Sequence, residues 1–255
     1  MTTVELAILI VIFFLTSVVG VVTGSNSLIA VPAMFQVGIE PKIAVATNMF
    51  GLVFMAIGGT IPFVRAKKIE YAKITPLILL TIISSAVGAL FVGIISNQGI
   101  KLIVSVAMIA VALFSLLKRS TGVTDSTKTK PYAMPLTYIL VFLLGIYGGL
   151  FSGGYVTILT AVCVGIFGMK YGEAVASTKL INVFSSSVAT IIFMWQGLVD
   201  YRLGAIIGVT MFIGAYVGAH YASKLNDVWL RRIFLATVLV LAIKTLFDLG
   251  HYQVR

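Results

Sequence analysis

Charge is what this chain has least of. Asp, Glu, Lys and Arg make up 10% of its 255 residues, where a soluble domain would carry about a quarter. That shortage excludes an ordinary water-soluble fold. Cysteine occurs once, at Cys163, so no intrachain disulfide can form, and the residue reads as a small apolar side chain within a span. Carboxylates are missing from the middle of every apolar run, because Glu5, Glu173 and Asp248 all fall near run ends. Catalytic signatures are missing too. There is no H-E-x-x-H, no G-x-S-x-G, no paired intramembrane aspartate and no Walker-type loop, so neither an enzyme nor a bound cofactor or metal is expected. Without a nucleotide site, any active transport is expected to be secondary. A cleavable leader is not expected either. Glu5 stands where a leader would carry positive charge, and no small-residue cleavage site precedes polar sequence.

What is there is hydrophobic length. Sixty per cent of the residues are hydrophobic. Apolar runs such as 76–95 and 233–247 approach or exceed the ~18 residues that mark a membrane span. The chain reads as an all-α, polytopic membrane protein. Its formal charge of +10 does not point to nucleic acid, because the basic residues sit in short loops between spans.

Those runs occur in two copies. "AVATN" (44–48) returns as "AVAST" (174–178), "IEY" (69–71) as "VDY" (199–201), and "AVGAL" (86–90) as "YVGAH" (216–220). All three pairs are 130 residues apart, which argues for duplication. The halves are 1–118 and 131–255, joined by the polar linker 119–130, which is expected on the cytoplasmic side. Each half opens with an apolar run (6–22; 136–151), meets a polar break (24–27; 152–155) and continues in a short apolar piece (28–37; 156–167). Three ordinary spans follow: about 43–64, 74–95 and 100–117, then about 174–195, 203–222 and 229–247. The count is eight long apolar segments and about ten helical pieces. Pro62 is expected to kink or end its helix.

The short pieces hold ten to twelve residues, ~15–18 Å of helix against a hydrocarbon core of ~30 Å. They read as re-entrant or half-helical. The chain therefore turns back at each break, each half crosses an odd number of times, and the second half is inverted. Loop charges support this. Inversion places twelve cations on one side (Arg65, Lys67, Lys68, Lys73, Lys118, Arg119, Lys128, Lys130, Lys170, Lys224, Arg231, Arg232) and four on the other (Lys42, Lys101, Arg202, Arg255). Four plain crossings per half would give ten against six. The positive-inside rule favours inversion and places both termini outside the cytoplasm.

Broken backbone at membrane depth survives only where protein or a wet cavity satisfies it. Paired breaks in inverted halves point to a transporter's central site. Each short helix brings unpaired N–H groups and the positive end of its dipole to the break, and two such ends suit an anion. Ser25, Asn26 and Ser27 fit that role and also plain helix capping. Gly153 and Gly154 occupy the second break. Lys179 lies about eight residues into its span, ~12 Å from the nearer end, with Asn182 and Ser186 on the same helix face. Thr47 and Asn48 fall near the equivalent place in the first half, where Met49 replaces the lysine. One cation without an acid favours an anionic substrate. A structural Lys179, neutral or bonded to a backbone carbonyl, is the plainer alternative. His220 and Lys244 lie close enough to span ends to reach headgroups, Trp195, Trp229 and Tyr201 read as interfacial anchors, and Gly58, Gly59, Gly214 and Gly218 read as packing positions.

Three stretches, "GSNSLIAVPAMFQVGIEPKIAVATN" (24–48), "GIYGGLFSGGY" (145–155) and "ASTKLINVFSS" (176–186), resemble the bacterial TauE/SafE sulfite-exporter family, also called the TSUP permeases. The resemblance covers essentially the whole chain. It implies export of sulfite, sulfoacetate or a related organosulfonate across the cytoplasmic membrane of a bacterium or archaeon. Carried over by position, Gly24, Pro32, Thr47, Asn48, Gly149, Lys179 and Asn182 match motif positions. Ser25, Asn26 and Ser27 stand where many members have consecutive glycines, and Ser152 and Tyr155 where residues are often small. The expected partners are a small anion and the lipid bilayer, with no nucleic acid, and self-association is compatible with the sequence. An anion channel with the same site, a carrier for another small anion, and an assembly subunit without flux remain as alternatives.

Overall fold

The computed structural model describes residues 1–24, 26–117 and 133–224. The linker 119–130, the last span expected at 229–247, and Ser25 lie outside the described residues.

All the described elements are helices, and they repeat. In the first half these are α1 (Thr3–Thr23), the short α2 (Ser27–Gln36), α3 (Pro41–Arg65), α4 (Tyr71–Ile94) and α5 (Asn97–Leu117). In the second they are α6 (Ala133–Leu150), the short α7 (Tyr155–Gly165), α8 (Tyr171–Trp195) and α9 (Tyr201–Ala222). The starts of α1 and α6, of α3 and α8, and of α4 and α9 are each 130 residues apart. Backbone conformation repeats as well. Left-handed residues pair as Gly24 with Gly154, Gly38 with Gly168, and Lys67 with Gly197, again at 130. Pro62 lies in the last turn of α3, which ends three residues later at Arg65.

Close contacts give the helix directions. Gly214 meets Phe14 and Gly218 meets Val18, so α1 and α9 run in parallel. Gly204 meets Phe50 and Gly208 meets Phe54, so α3 runs with them. On the other side, Gly145 meets Ser84 and Gly149 meets Ser85, which makes α4 and α6 parallel. The Lys73–Glu173 pair at 3.6 Å and the Ser85–Ser185 bond at 2.6 Å align α8 with α4. Lys42 at the start of α3 donates to the Gly93 carbonyl at the end of α4, so these two are antiparallel. Thus α1, α3 and α9 run one way and α4, α6 and α8 the other. Equivalent helices of the two halves point in opposite directions, which is the inversion expected from the loop charges.

The packing partners exchange in the same way. Helix α1 of the first half lies on α9 of the second, and α6 of the second on α4 of the first. A Cβ on Gly218 would meet the Val18 carbonyl, and one on Gly88 the Ile146 carbonyl. Lipid tails are as apolar as leucine, so helices here associate through such close backbone contacts. The outer faces carry exposed Ile8, Val11, Leu79, Ile83, Ile191 and Val209, a belt suited to lipid. Helices α3 and α8 are the most enclosed of the long helices, and they bring the functional residues to the centre.

Candidate functional site: the crossing of the two breaks

Both breaks are built on a left-handed glycine. Helix α1 ends at Gly24 (φ 73°) and α7 begins after Gly154 (φ 78°); the positive φ reverses the chain with little steric cost only in glycine. The reversed segments then touch. A Cβ on Gly24 would stand 2.7 Å from the backbone nitrogen of Thr157, in the first turn of α7. Two hydrogen bonds cross the seam reciprocally. Ser27 Oγ pairs with Ser152 Oγ at 2.8 Å, and Thr157 Oγ1 donates to the Thr23 carbonyl at 2.6 Å. Ser27 and Thr157 are themselves 130 residues apart. Each short helix therefore uses the same position to bond the other half's break.

A small cavity of about 20 Å³ lies beside this seam, lined among others by Gly20, Asn26, Ser27, Ser152, Lys179 and Asn182. Lys179 is buried (3% exposed). Its Nζ donates to the Gly20 carbonyl at 3.4 Å, in the last turn of α1 before the break. Ion pairs among the described residues are confined to Lys73 with Glu70 and Glu173, so none of the described carboxylates pairs with Lys179. Burying an unpaired charge costs several kcal/mol, and an anion in the cavity would offset that cost. On the first-half side, Asn48 Nδ2 donates to Ser27 Oγ at 2.9 Å. The amide oxygens of Asn26 and Asn48 are buried without a partner among the described residues.

Several expected residues come together and others do not. Asn26, Ser27, Lys179 and Asn182 line the cavity, and Asn48 supports it through Ser27. Asn26 does not cap α2. Its amide reaches back to Thr16 Oγ1 at 2.9 Å and Ser17 Oγ at 3.0 Å, tying the break to α1. Thr47 points elsewhere, accepting from the Asp200 N–H at 3.0 Å just beyond the end of α8. Gly153 offers its carbonyl to the Tyr147 hydroxyl, and Gly154 packs on Val111; neither lines the cavity. Ser25 lies outside the described residues. Sequence reasoning missed the Gly20 carbonyl and the Thr16–Ser17 anchor. That hydroxyl pair late in an otherwise apolar run was a readable signal. A carbonyl freed by a nearby break was not. Among the described residues no cluster of His, Cys, Asp or Glu could hold a metal.

The model of the family described as "Sulfite exporter TauE/SafE" matches residues 9–245. A relative from Sinorhizobium named a probable membrane transporter protein, ORF9, is 29% identical over 247 residues, covering 96% of this chain and 94% of the relative. A probable membrane transporter protein of Haemophilus influenzae is 24% identical over 248 residues, 97% of each chain. The Escherichia coli K12 protein named probable membrane transporter protein YfcA is 26% identical over 246 residues, 95% of this chain and 91% of the relative. No solved structure matches.

Proposed function

This chain belongs to the sulfite exporter TauE/SafE family, and on that premise we propose that it is a secondary carrier exporting a small sulfur-containing oxyanion, sulfite first, with sulfoacetate and other organosulfonates as the related candidates. The observation that carries this reading is Lys179, a buried lysine with no carboxylate partner among the described residues, facing a cavity where two broken helices meet. Lys179 would compensate the anion's charge. Asn182 and Ser27 would donate hydrogen bonds, and the first turns of α2 and α7 would add backbone N–H groups. The unpartnered Asn26 oxygen suits the proton of hydrogen sulfite.

A cavity of about 20 Å³ holds little more than one water, less than a sulfur oxyanion needs. Loading therefore requires the seam between the breaks to widen, a movement that alternating access would supply. The cytoplasmic end is the one bearing Arg65, Lys67, Lys68, Lys73, Lys170 and Lys224, against Lys42, Lys101 and Arg202 at the other.

The test is labelled-sulfite flux in proteoliposomes, wild type beside Lys179→Met, with unlabelled sulfite, sulfate and sulfoacetate as competitors. Saturable wild-type flux, reduced about ten- to a hundredfold in the variant by loss of a charge-assisted contact, is the expected result. Equal flux in both would remove Lys179 from the site. Currents that rise linearly without saturation would replace the carrier by a channel.

A further inference from the structure

A second polar cluster lies on α8 about one turn beyond the Lys179 cavity. Thr81 and Ser85 on α4, Ser185 on α8 and Tyr155 at the start of α7 are all buried. Ser85 Oγ and Ser185 Oγ are 2.6 Å apart, and Ser85 Oγ also lies 3.2 Å from the Gly145 carbonyl on α6. Thr81 returns its hydroxyl to the Leu77 carbonyl one turn back. The Tyr155 hydroxyl is wholly buried and interacts with Thr81 and Ser185, but meets no partner at good hydrogen-bond geometry among the described residues. A buried phenolic O–H held only by such loose contacts is costly and calls for an explanation.

These bonds bridge α4 to α8 and to α6, but the other half of the fold makes the equivalent contacts without them. The duplication supplies an internal control, because the positions 130 residues away hold Met211 for Thr81, Ala215 for Ser85 and Met55 for Ser185. Those apolar counterparts are buried as well, so the hydroxyls add polarity that the repeat does not carry at the equivalent place. The cluster's place along the molecule is informative too. Ser185 lies six residues beyond Lys179, ~9 Å further from the basic end. The second break joins the two places: Ser152 and Val156 line the Lys179 cavity, while Tyr155 between them turns to the cluster.

We propose that Tyr155, Thr81, Ser85 and Ser185 form a second, uncharged subsite for the transported oxyanion, entered after the Lys179 cavity on the outward half of its path. The inference rests on the anion-carrier reading. Hydroxyl donors without a cation hold an oxyanion weakly, as an exit step needs. The Tyr155, Thr81 and Ser185 hydroxyls can rotate from their present neighbours to the ligand.

The experiment is sulfite flux and equilibrium sulfite binding with Tyr155→Phe and, separately, the Ser85→Ala/Ser185→Ala double variant. Tyr155→Phe keeps the buried ring and removes only the hydroxyl. The expected result is a maximal flux about five- to tenfold lower, the worth of one or two hydrogen bonds, with equilibrium binding and thermal midpoint unchanged. Wild-type flux in both variants would overturn the subsite while leaving the carrier intact. A joint fall of flux, binding and thermal midpoint would make the cluster structural and overturn it equally. No anion flux by folded wild-type protein would overturn the carrier reading and the subsite with it.

Discussion

At the scale of single residues, glycine and lysine carry the design. Gly24 and Gly38 have nearly the same left-handed φ, 73° and 81°, but different surroundings. A Cβ on Gly38 meets nothing within 4 Å, while one on Gly24 meets the Thr157 nitrogen and Val156 Cβ at 2.7 Å. Gly38→Ala is expected to cost about 1–2 kcal/mol, the left-handed penalty alone. Gly24→Ala is expected to cost at least about 3 kcal/mol, because the seam between the breaks must also move. Thermal melting in detergent of the two variants beside wild type checks both values. Lys179 is the opposite kind of residue: it is buried, and its head meets the Gly20 carbonyl and no carboxylate among the described residues.

At the scale of elements, helix contact in this molecule is backbone against backbone. Gly88 and Gly149 hold α4 and α6 so close that an added Cβ would run into the Ile146 and Ser85 carbonyls. Gly88→Ala is expected to part the helices and lower stability by about 1–3 kcal/mol. Gly165, at the end of α7, has open space around its missing Cβ. Gly165→Ala is expected to be neutral or to stabilise by up to about 1 kcal/mol through helix propensity. Melting curves showing equal effects would refute glycine packing as the basis of the α4–α6 contact. The short helices follow from the same local physics. Gly24 with Asn26, and Ser152 with Gly153 and Gly154, interrupt runs that would otherwise continue, and the interruption was legible because so few polar residues occur elsewhere. Break boundaries were less legible. Helix α6 stops at Leu150, whereas its equivalent α1 runs to Thr23, so the second break opens three residues early in the repeat frame.

At the scale of the whole molecule, inversion places one family of loops on each side. The single cysteine is buried, which gives a quiet background for labelling. With Cys163 in place, Gln98→Cys is expected to react with a membrane-impermeant maleimide in intact cells. Lys170→Cys is expected to react only after permeabilisation. Both positions are exposed and lie at opposite ends of the helix stack. The reverse pattern would turn the molecule over and make the basic end external, against the positive-inside rule.

The sequence by itself determined the class, the duplication and the inversion. These depend on patterns that act over short distances or in bulk: apolar length against membrane thickness, a 130-residue recurrence, and the sorting of cations by loop. It also singled out the breaks and Lys179, because polar groups at membrane depth are rare and each one is conspicuous. Only the tertiary structure decided how those groups are used. Thr47 and Asn48 are neighbours in the chain, yet one caps the turn at Asp200 and the other reaches Ser27. Asn26 looked like a cap and is instead a tether to α1. The Gly20 carbonyl became the lysine's partner, and Tyr155, Ser85 and Ser185 met from three helices. Such pairings join residues far apart in the chain. They follow from the rotation of each helix about its own axis, which close packing of whole faces sets and local pattern does not encode.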